Sequence, residues 1–471
     1  MSDKRLVNGQ PITNTANAIR RKTGSPSQIE WKSGKGFSDA IDAIWNTKVY
    51  GFRIDSSESD PSACVTYLAA AVGATPAHMD YTNGVFDYGS WKDAFFMPRP
   101  CMLKYDGTVD YYLDPNDYSK KEDGTASDVS DDTYGGNAMM EWGRDGKQIW
   151  YKIVPDIDDD TCANIYVADH QADEDFHAWS FINNQGELVD HFYTSIYEGS
   201  MDSNGKLRSI SGKANTDLCS GRIASDNVDS AELNNPSTDK LWYVGTYSDR
   251  ILIDILLILI GKSLDMQTVF GIGRADQPSG TEVLTALSTG TLDGKGLFFG
   301  YNDSDHAVKV FGIENFWGNM FKRVAGSVVT IDRIHKYKMT YGTQDGSTCT
   351  GYVMTLPSED YDGYLVGKPV MNPPSGYNGA GRFITKQSFT TNDFYNSGYG
   401  DGSGSIYWCD YSYMQKTTGS ATNARYPVYG GYSLATADRN GAFYLTEYTN
   451  AEATQWYINE YLSCKPLAQS E

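Results

Sequence analysis

The 471-residue chain is 40% hydrophobic and 13% aromatic, which is enough apolar side chain to form a folded core and excludes general disorder. Its formal net charge of −21 argues against a nucleic-acid partner and against an anionic membrane, because both require a basic surface. The 47 glycines and 34 tyrosines favour many short strands and loops over long helices. We therefore predict no nucleic-acid partner and no membrane insertion.

The cysteines are scattered along the chain without a Cys-x-x-Cys pair, which indicates reduced thiols rather than a disulfide framework or a zinc site. They are Cys64, Cys101, Cys162, Cys219, Cys349, Cys409 and Cys464. No apolar segment follows the first residues, so we expect no signal peptide and synthesis in a reducing cytoplasm.

Residues 1–48 differ from the rest of the chain, because two short amphipathic helices are predicted there, at residues 12–22 and 36–45. Two such helices bury too little apolar surface to fold alone, so we expect this module to dock on a larger partner. A helical cap on the next domain is the alternative. The apolar residues at helical spacing in the second helix are Phe37, Ile41, Ile44 and Trp45.

Strand and turn patterns begin after residue 48. Residues 49–55 alternate apolar and polar side chains, as a half-buried strand does. Residues 114–138 are polar enough to form a long exposed loop. Asp-Gly and Asn-Gly pairs supply the positive φ that tight hairpin turns require. Predicted strand pairs flank Asp106-Gly107, Asp145-Gly146, Asn184-Gln185-Gly186 and Asn204-Gly205.

The most apolar helix is predicted at residues 250–261, with Ser248 and Asp249 as its cap. Isoleucine and leucine cover nearly all of its faces, which predicts a buried helix. Asp254 interrupts the apolar run, which is also far too short to cross a bilayer.

The segment 311–326 is dense in apolar residues and carries glycines where the backbone must turn or pack closely. We predict that it is buried, with Trp317 at its centre. A buried indole N–H needs an acceptor, and Asn315 or Asn319 could shape that environment.

Four motifs follow one another in the C-terminal part: Asn315-Phe316-Trp317-Gly318-Asn319, Tyr429-Gly430-Gly431-Tyr432, Gly441-Ala442-Phe443 and Trp456-Tyr457-Ile458. Together they resemble the C-type lectin fold, in the form shared by formylglycine-generating enzymes, phage receptor-binding proteins and the targets of diversity-generating retroelements. The active-site cysteine pair of the enzymes and the calcium-dependent sugar-binding motif of the lectins are missing from this sequence.

The resemblance implies an α+β fold, in which residues 49–471 form an elaborated C-type lectin-like domain of many short antiparallel strands and loops. Residues 1–48 would be a small helical module before it, and residues of about 114–245 its insertion-rich part. Residues 250–261 would be the second long helix, and the first strand would pair with the last, within residues 456–464. The implied structural core comprises Trp317, Asn319, Gly430 and Gly431.

The N-terminal residues carry a second resemblance. Residues 16–24 have the pattern Ala-x-Ala-Ile-Arg-x-Lys-Thr-Gly, and residues 36–44 have the pattern Gly-Phe-x-Asp-Ala-Ile-x-x-Ile. Both resemble the N-terminal module of many structural proteins of phages that infect Gram-positive bacteria. The resemblance implies that residues 1–48 bind other virion proteins.

Motifs that would carry catalysis or hold a metal ion are incomplete. Gly261-Lys262-Ser263 has Leu256 where a phosphate-binding loop needs its leading glycine. The acidic run 156–160 lacks the turn glycine and the final glutamate of an EF-hand. His170 and His177 lie in an acidic stretch, which is most simply an exposed loop. We predict no catalytic residue, no metal site and no cofactor, and we leave a calcium ion open as an alternative.

The stretch 394–432 combines many tyrosines with Gly, Ser, Asn and Asp, which is the composition of antibody-like binding surfaces. In the phage proteins of the resembling family, this part of the fold displays the receptor-binding residues. Strand alternation should turn about half of its rings inward. The predicted ligand-binding residues are Tyr399, Tyr407, Trp408, Tyr411, Tyr413 and Tyr426.

These observations predict a bacteriophage virion protein, made in the host bacterial cytoplasm, that binds a host-surface glycan or protein through its C-terminal lectin-like domain. We expect a homo-oligomer, such as a trimer. Two alternatives from other classes are a head fibre, capsid-decoration or baseplate protein with an assembly role, and an enzyme that acts on surface glycan.

Overall fold

Most regular elements of the described chain are short strands, paired largely in antiparallel sheets, and helices are few. The structure is a computed structural model that describes residues 49–55, 58, 60–156, 162–237, 239–278, 286–329, 334–338, 364–369, 412–413, 426–435, 437, 440–446 and 452–468. Within these residues the fold is β-rich, so the prediction of many short antiparallel strands is confirmed. The helices predicted at residues 12–22 and 36–45 lie outside the described residues.

The strands before the first helix are β1 (Tyr50–Asp55), β2 (Val65–Ala69), β3 (His78–Asp80), β4 (Val85–Asp87), β5 (Arg99–Lys104), β6 (Val109–Asp114), β7 (Asp117–Lys121), β8 (Gly136–Trp142), β9 (Trp150–Pro155), β10 (Cys162–Ala168), β11 (Phe192–Ser195), β12 (Ser200–Met201) and β13 (Leu207–Arg208). The helices are α1 (Ala224–Glu232), α2 (Tyr247–Gly261) and α3 (Met266–Phe270), with β14 (Trp242–Val244) between the first two. The later strands are β15 (Lys309–Val310), β16 (Ile313–Glu314), β17 (Phe321–Arg323), β18 (Ser327–Val329), β19 (Ile334–Lys338), β20 (Tyr364–Pro369), β21 (Ser412–Tyr413), β22 (Val428–Tyr429), β23 (Leu445–Thr446), β24 (Ile458–Asn459) and β25 (Leu462–Cys464).

Strand β1 forms at the predicted place, with Phe52 and Ile54 buried on one face. It lies in a four-stranded sheet of order β2-β1-β10-β9, in which both of its neighbours are antiparallel. The expected pairing of the first strand with the last is therefore wrong. Both edges of β1 are already occupied, and β25 pairs with β11 and β14 in a different sheet.

The second large sheet has seven strands in the order β14-β25-β11-β8-β5-β6-β7. Its central strand β8 is buried along its whole length. The polar segment 114–138, predicted as one long exposed loop, instead contains β7 and the start of β8. Tyr118 explains the difference, because its fully buried ring fixes β7 to the core while neighbouring polar residues face solvent.

The predicted hairpins have mixed outcomes. Asp106-Gly107 does connect the antiparallel pair β5 and β6, and Asn204-Gly205 connects β12 and β13. Asp145-Gly146 does not form a hairpin, because β8 and β9 on either side belong to different sheets. Around Asn184-Gln185-Gly186 the pairing is limited to one bridge, between Ile182 and Leu188.

Helix α2 is buried on every face, as its all-round apolar sequence predicts. It begins earlier than predicted, because Thr246 is its cap and the Thr246 hydroxyl accepts a hydrogen bond from the backbone N–H of Asp249. Lys262 ends the helix in the left-handed conformation. Asp254 forms an ion pair with Arg250 at 3.4 Å, and burial raises the pKa of Asp254 to about 7 although Arg250 acts to lower it.

The cysteines that the structure describes are free thiols, buried at Cys64, Cys101, Cys162, Cys219 and Cys464. Burial raises the pKa of Cys219 to about 12, so this thiol is held in its neutral, weakly reactive form. Among the described helices, none combines the length and the apolar character needed to cross a membrane.

Candidate functional site

The aromatic stretch is part of a long excursion from one small sheet. Strands β17 and β22 are antiparallel neighbours, with Lys322 opposite Tyr429 and Arg323 opposite Val428. The chain therefore leaves β17 at residue 324 and enters the neighbouring strand β22 at residue 428, and β21 is the strand of the same sheet that lies between them in the sequence. We call residues 324–427 the excursion. Strand β24 lies parallel to β17 on its other side, so the base of the excursion is an interior strand of the five-stranded sheet.

The residues predicted as structural core surround this base. Trp317 is fully buried, and its indole N–H donates to the carbonyl of Gly271 at 3.1 Å. Neither Asn315 nor Asn319 accepts this hydrogen bond, because its acceptor is a backbone carbonyl. The backbone N–H of Gly318 donates to Gly430, which ties the Trp317 segment to the returning strand.

Glycine is required at residues 430 and 431 for two reasons. Neighbouring atoms leave no room for a Cβ atom, and the backbone angles favour glycine. A Cβ atom on Gly430 would lie 3.0 Å from the Phe316 carbonyl oxygen and 3.1 Å from the Trp317 Cα. A Cβ atom on Gly431 would overlap the side chain of Asn440. Both residues also have positive φ, of 86° and 74°. The Gly-Gly motif therefore allows the returning chain to pack directly on Trp317.

Asn315 and Asn319 have left-handed backbone angles, with φ of 57° and 61°, which asparagine tolerates better than most residues. Both side-chain amides donate to one oxygen of Glu198, from Asn315 at 3.1 Å. The side-chain oxygen of Asn319 also accepts from the backbone of Leu287 at 2.7 Å. The two asparagines therefore fix a strained turn by bonding it to distant parts of the chain.

A buried ion pair completes the base. The ammonium of Lys322 lies 2.8 Å from Glu198, and the two side chains are 1% and 0% exposed. Lys322 also donates to the carbonyl of Gly318 at 2.9 Å. Burial lowers the pKa of Lys322, and Glu198 opposes this effect. Glu198 was missed by the sequence analysis because nothing in its local sequence signals a partner in a segment more than a hundred residues away.

The predicted ligand-binding residues fall into three groups. Tyr399, Tyr407, Trp408 and Tyr411 lie outside the described residues. Tyr413 lies in β21, which is parallel to β23, and its side chain is also outside the description. Tyr426 is 1% exposed and belongs to the interior cluster that includes Trp242 and Leu462. Its prediction as a binding residue is wrong, because the chain has already returned to the core two residues before β22.

A partly exposed group of aromatic rings lies beside the base of the excursion. We call Phe321, Tyr432, Trp456 and Tyr457 the ring cluster. Tyr432 lies 4.8 Å from Phe321 and 4.7 Å from Tyr457, measured between ring centroids, and Trp456 lies 5.4 Å from Tyr457. Phe321 is buried, whereas the other three rings keep part of their surface exposed. The sequence analysis placed Trp456 and Tyr457 in a closing strand and missed their exposure.

The two histidines in the acidic stretch contact neighbouring protein side chains. His170 lies 2.9 Å from Asp169, and His177 stacks on Trp179 at 4.6 Å. Burial acts to raise the pKa of Asp169, but hydrogen bonds from His170 and Lys147 outweigh it and lower the pKa to about 2. No cluster of three His, Cys, Asp or Glu side chains suited to a metal ion occurs among the residues described.

An open recess lies elsewhere, between the β5–β6 turn, residues 188–193 and residues 466–468. Its volume is about 620 Å³, and Asp190, His191 and Tyr193 are the titratable side chains in its described lining. The recess and the ring cluster are formed by different residues.

Sequence comparisons identify no relative: no protein-family model matches the chain, and no curated protein matches it.

Proposed function

We propose that this protein is a bacteriophage virion protein that binds a receptor on the host surface, and that its binding residues lie in the excursion and in the adjoining ring cluster. The observation that carries the proposal is the pairing of β17 with β22, which anchors both ends of an aromatic-rich segment on one rigid, buried base. Binding residues are commonly found on loops that a rigid scaffold positions.

The base is well suited to hold such a segment. Trp317, the two asparagines and the Glu198–Lys322 pair fix its backbone by packing and hydrogen bonds. Next to it, Tyr432, Trp456 and Tyr457 expose part of their rings. Aromatic side chains supply large contact areas at low entropic cost, and they dominate the energy of many interfaces. The ring cluster therefore extends the predicted aromatic surface onto the described part of the molecule.

The proposed architecture is an elaborated C-type lectin-like domain with a helical module at residues 1–48 that binds other virion proteins. This finer assignment is supported by the order of the C-terminal motifs and by the contact of the Trp317 segment with the Gly-Gly motif. The proposed receptor is a host-surface glycan or protein, and the proposed assembly is a homo-oligomer. With a net charge of −21, binding should depend only weakly on salt unless the receptor is cationic.

Alanine substitutions at aromatic residues of the excursion and of the ring cluster should test the binding function. We expect at least one of Trp408→Ala, Tyr411→Ala, Tyr432→Ala and Trp456→Ala to weaken host-cell binding by about 2 kcal/mol, roughly thirtyfold, because a few aromatic residues usually dominate an interface. The melting temperature should be nearly unchanged. Binding is measured with labelled protein on host cells, with free sugars and isolated cell-wall polymer as competitors.

Tyr426→Ala is the matched control, because this tyrosine is buried and should lose stability and binding together. If every stable single and combined ring variant binds cells like the wild type, receptor binding is wrong. The assembly role of a head fibre, capsid-decoration or baseplate protein would then replace it.

Deletion of residues 1–46 should abolish attachment to the virion without unfolding the rest of the protein. We expect the truncated protein to remain folded, because it keeps β1 and every core residue that the structure describes, and to be lost from the virion. The measurements are circular dichroism of the purified protein and its amount in purified particles. Normal incorporation of the truncated protein would contradict the role of residues 1–48 in attachment.

A further inference from the structure

An exposed apolar turn follows β2 in the first sheet. We call residues 69–74, with the sequence Ala-Ala-Ala-Val-Gly-Ala, the apolar turn. Val72 is 69% exposed, more than any other large aliphatic side chain in the described residues. Ala69 and Ala70 are exposed as well. Ala71 between them is fully buried, but three uncovered apolar side chains are still unusual at a tight turn, where polar residues predominate.

The chain enters the described domain at the edge of this turn. The carbonyl of Val49 accepts a hydrogen bond from the backbone of Ala70 at 3.0 Å, and Tyr50 lies opposite Ala69 in the ladder. The ring of Tyr50 is partly exposed and stacks on that of Phe95, which is also partly exposed, at 6.2 Å. The chain before Val49 therefore starts beside the exposed side chains of the apolar turn, with two partly exposed aromatic rings close by.

The segment just before this entry carries a matching apolar stripe. Residues 36–45 lie outside the described residues, and their sequence predicts an amphipathic helix with Phe37, Ile41 and Ile44 on one face. Residues 46–48 join this segment to Val49, and three residues span at most about 11 Å. So short a connection gives residues 36–45 a high effective concentration at the surface of the domain. Even a weak contact between this segment and the apolar turn would therefore be formed within the same chain.

We propose that residues 36–45 pack as a helix on the apolar turn of their own chain, and that Val72 is the centre of the contact. The helical module is thereby divided into two parts with different partners. Residues 36–45 cover the domain and set the direction in which the chain leaves it, and residues 1–35 are available to other virion proteins. The contact goes beyond the proposed function, and it can be tested on the isolated protein without a receptor or a particle.

Hydrogen exchange of the full-length protein, read by mass spectrometry, tests this contact. The backbone amides of residues 36–45 should exchange slowly in the wild type, because docking holds their helical hydrogen bonds closed. Val72→Asp should speed their exchange at least tenfold, because a charge would replace the centre of the apolar contact. Ile41→Asp, on the opposite side of the contact, should have the same effect.

Leu233→Asp is the matched control. Leu233 is 52% exposed at the end of α1, so the substitution adds the same charge at another exposed aliphatic site and should leave the exchange unchanged. All three substitutions should leave the exchange of β1 and β10 unchanged, which shows that the domain remains folded.

Two results would overturn the proposal. The first is fast exchange of residues 36–45 in the wild type, or slow exchange that Val72→Asp does not alter. The second is protection that disappears on tenfold dilution of the wild type, because the segment would then pack on a second copy of the chain rather than on its own domain.

Discussion

Trp317→Ala should lower the free energy of unfolding by about 3 to 5 kcal/mol, a large part of the stability of an ordinary domain. The ring is fully buried, and its removal would leave a cavity between the 311–326 segment and the returning strand. It would also remove the donor to the Gly271 carbonyl. The measurement is urea unfolding, followed by circular dichroism and interpreted with a two-state fit.

Trp456→Ala is the matched control for this experiment, because Trp456 keeps part of its ring exposed and should lose less stability. Trp317→Phe should fall between the two, since it retains an aromatic ring but not the N–H. A Trp317→Ala protein with the free energy of unfolding of the wild type would mean that the base of the excursion does not depend on this ring.

Glu198→Gln should have a similar effect, of about 3 to 5 kcal/mol, because it leaves the buried ammonium of Lys322 without its counter-charge. The substitution keeps the size of the side chain, so little of the loss would come from a cavity. Both side chains of the pair are almost completely buried, and no solvent screens the remaining charge. The same urea unfolding experiment measures the change.

The double variant Glu198→Gln with Lys322→Met should recover much of this loss, because it removes the unpaired charge. The exposed pair of Arg99 and Glu122, at 2.7 Å, provides a control. Glu122→Gln should cost less than about 1 kcal/mol, as surface ion pairs usually do. Equal losses of unfolding free energy in Glu198→Gln and Glu122→Gln would show that burial does not make the Glu198–Lys322 pair important for stability.

Local features of this fold could be predicted from the sequence. The Asp106-Gly107 hairpin forms because Gly107 supplies the positive φ, of 81°, that the turn requires. Helix α2 is buried because isoleucine and leucine cover nearly all of its faces, and its Arg250 and Asp254 form an ion pair with each other. Trp317 lies in the core because a large apolar side chain in a glycine-bounded apolar segment has no other favourable environment.

The features that could not be predicted depend on partners far away in the chain. Strand β1 was predicted correctly, but the strands that pair with it depend on the whole sheet and not on the residues of β1 alone. Asp145-Gly146 has the composition of a hairpin turn, yet the flanking strands separate into two sheets. Tyr426 belongs to a stretch with the composition of a binding surface, and only the position of β22 shows that this residue is inside.

The pairing of β17 with β22 also has a consequence for how this molecule can change over generations. The entropy of closing a flexible loop grows only with the logarithm of its length, so each doubling costs about 0.6 kcal/mol. Lengthening a connection from about ten residues to about a hundred would therefore cost roughly 2 kcal/mol. Changes in the length of this connection should therefore cost little folding free energy, whereas substitutions of Trp317, Gly430 and Glu198 at its base should cost much more.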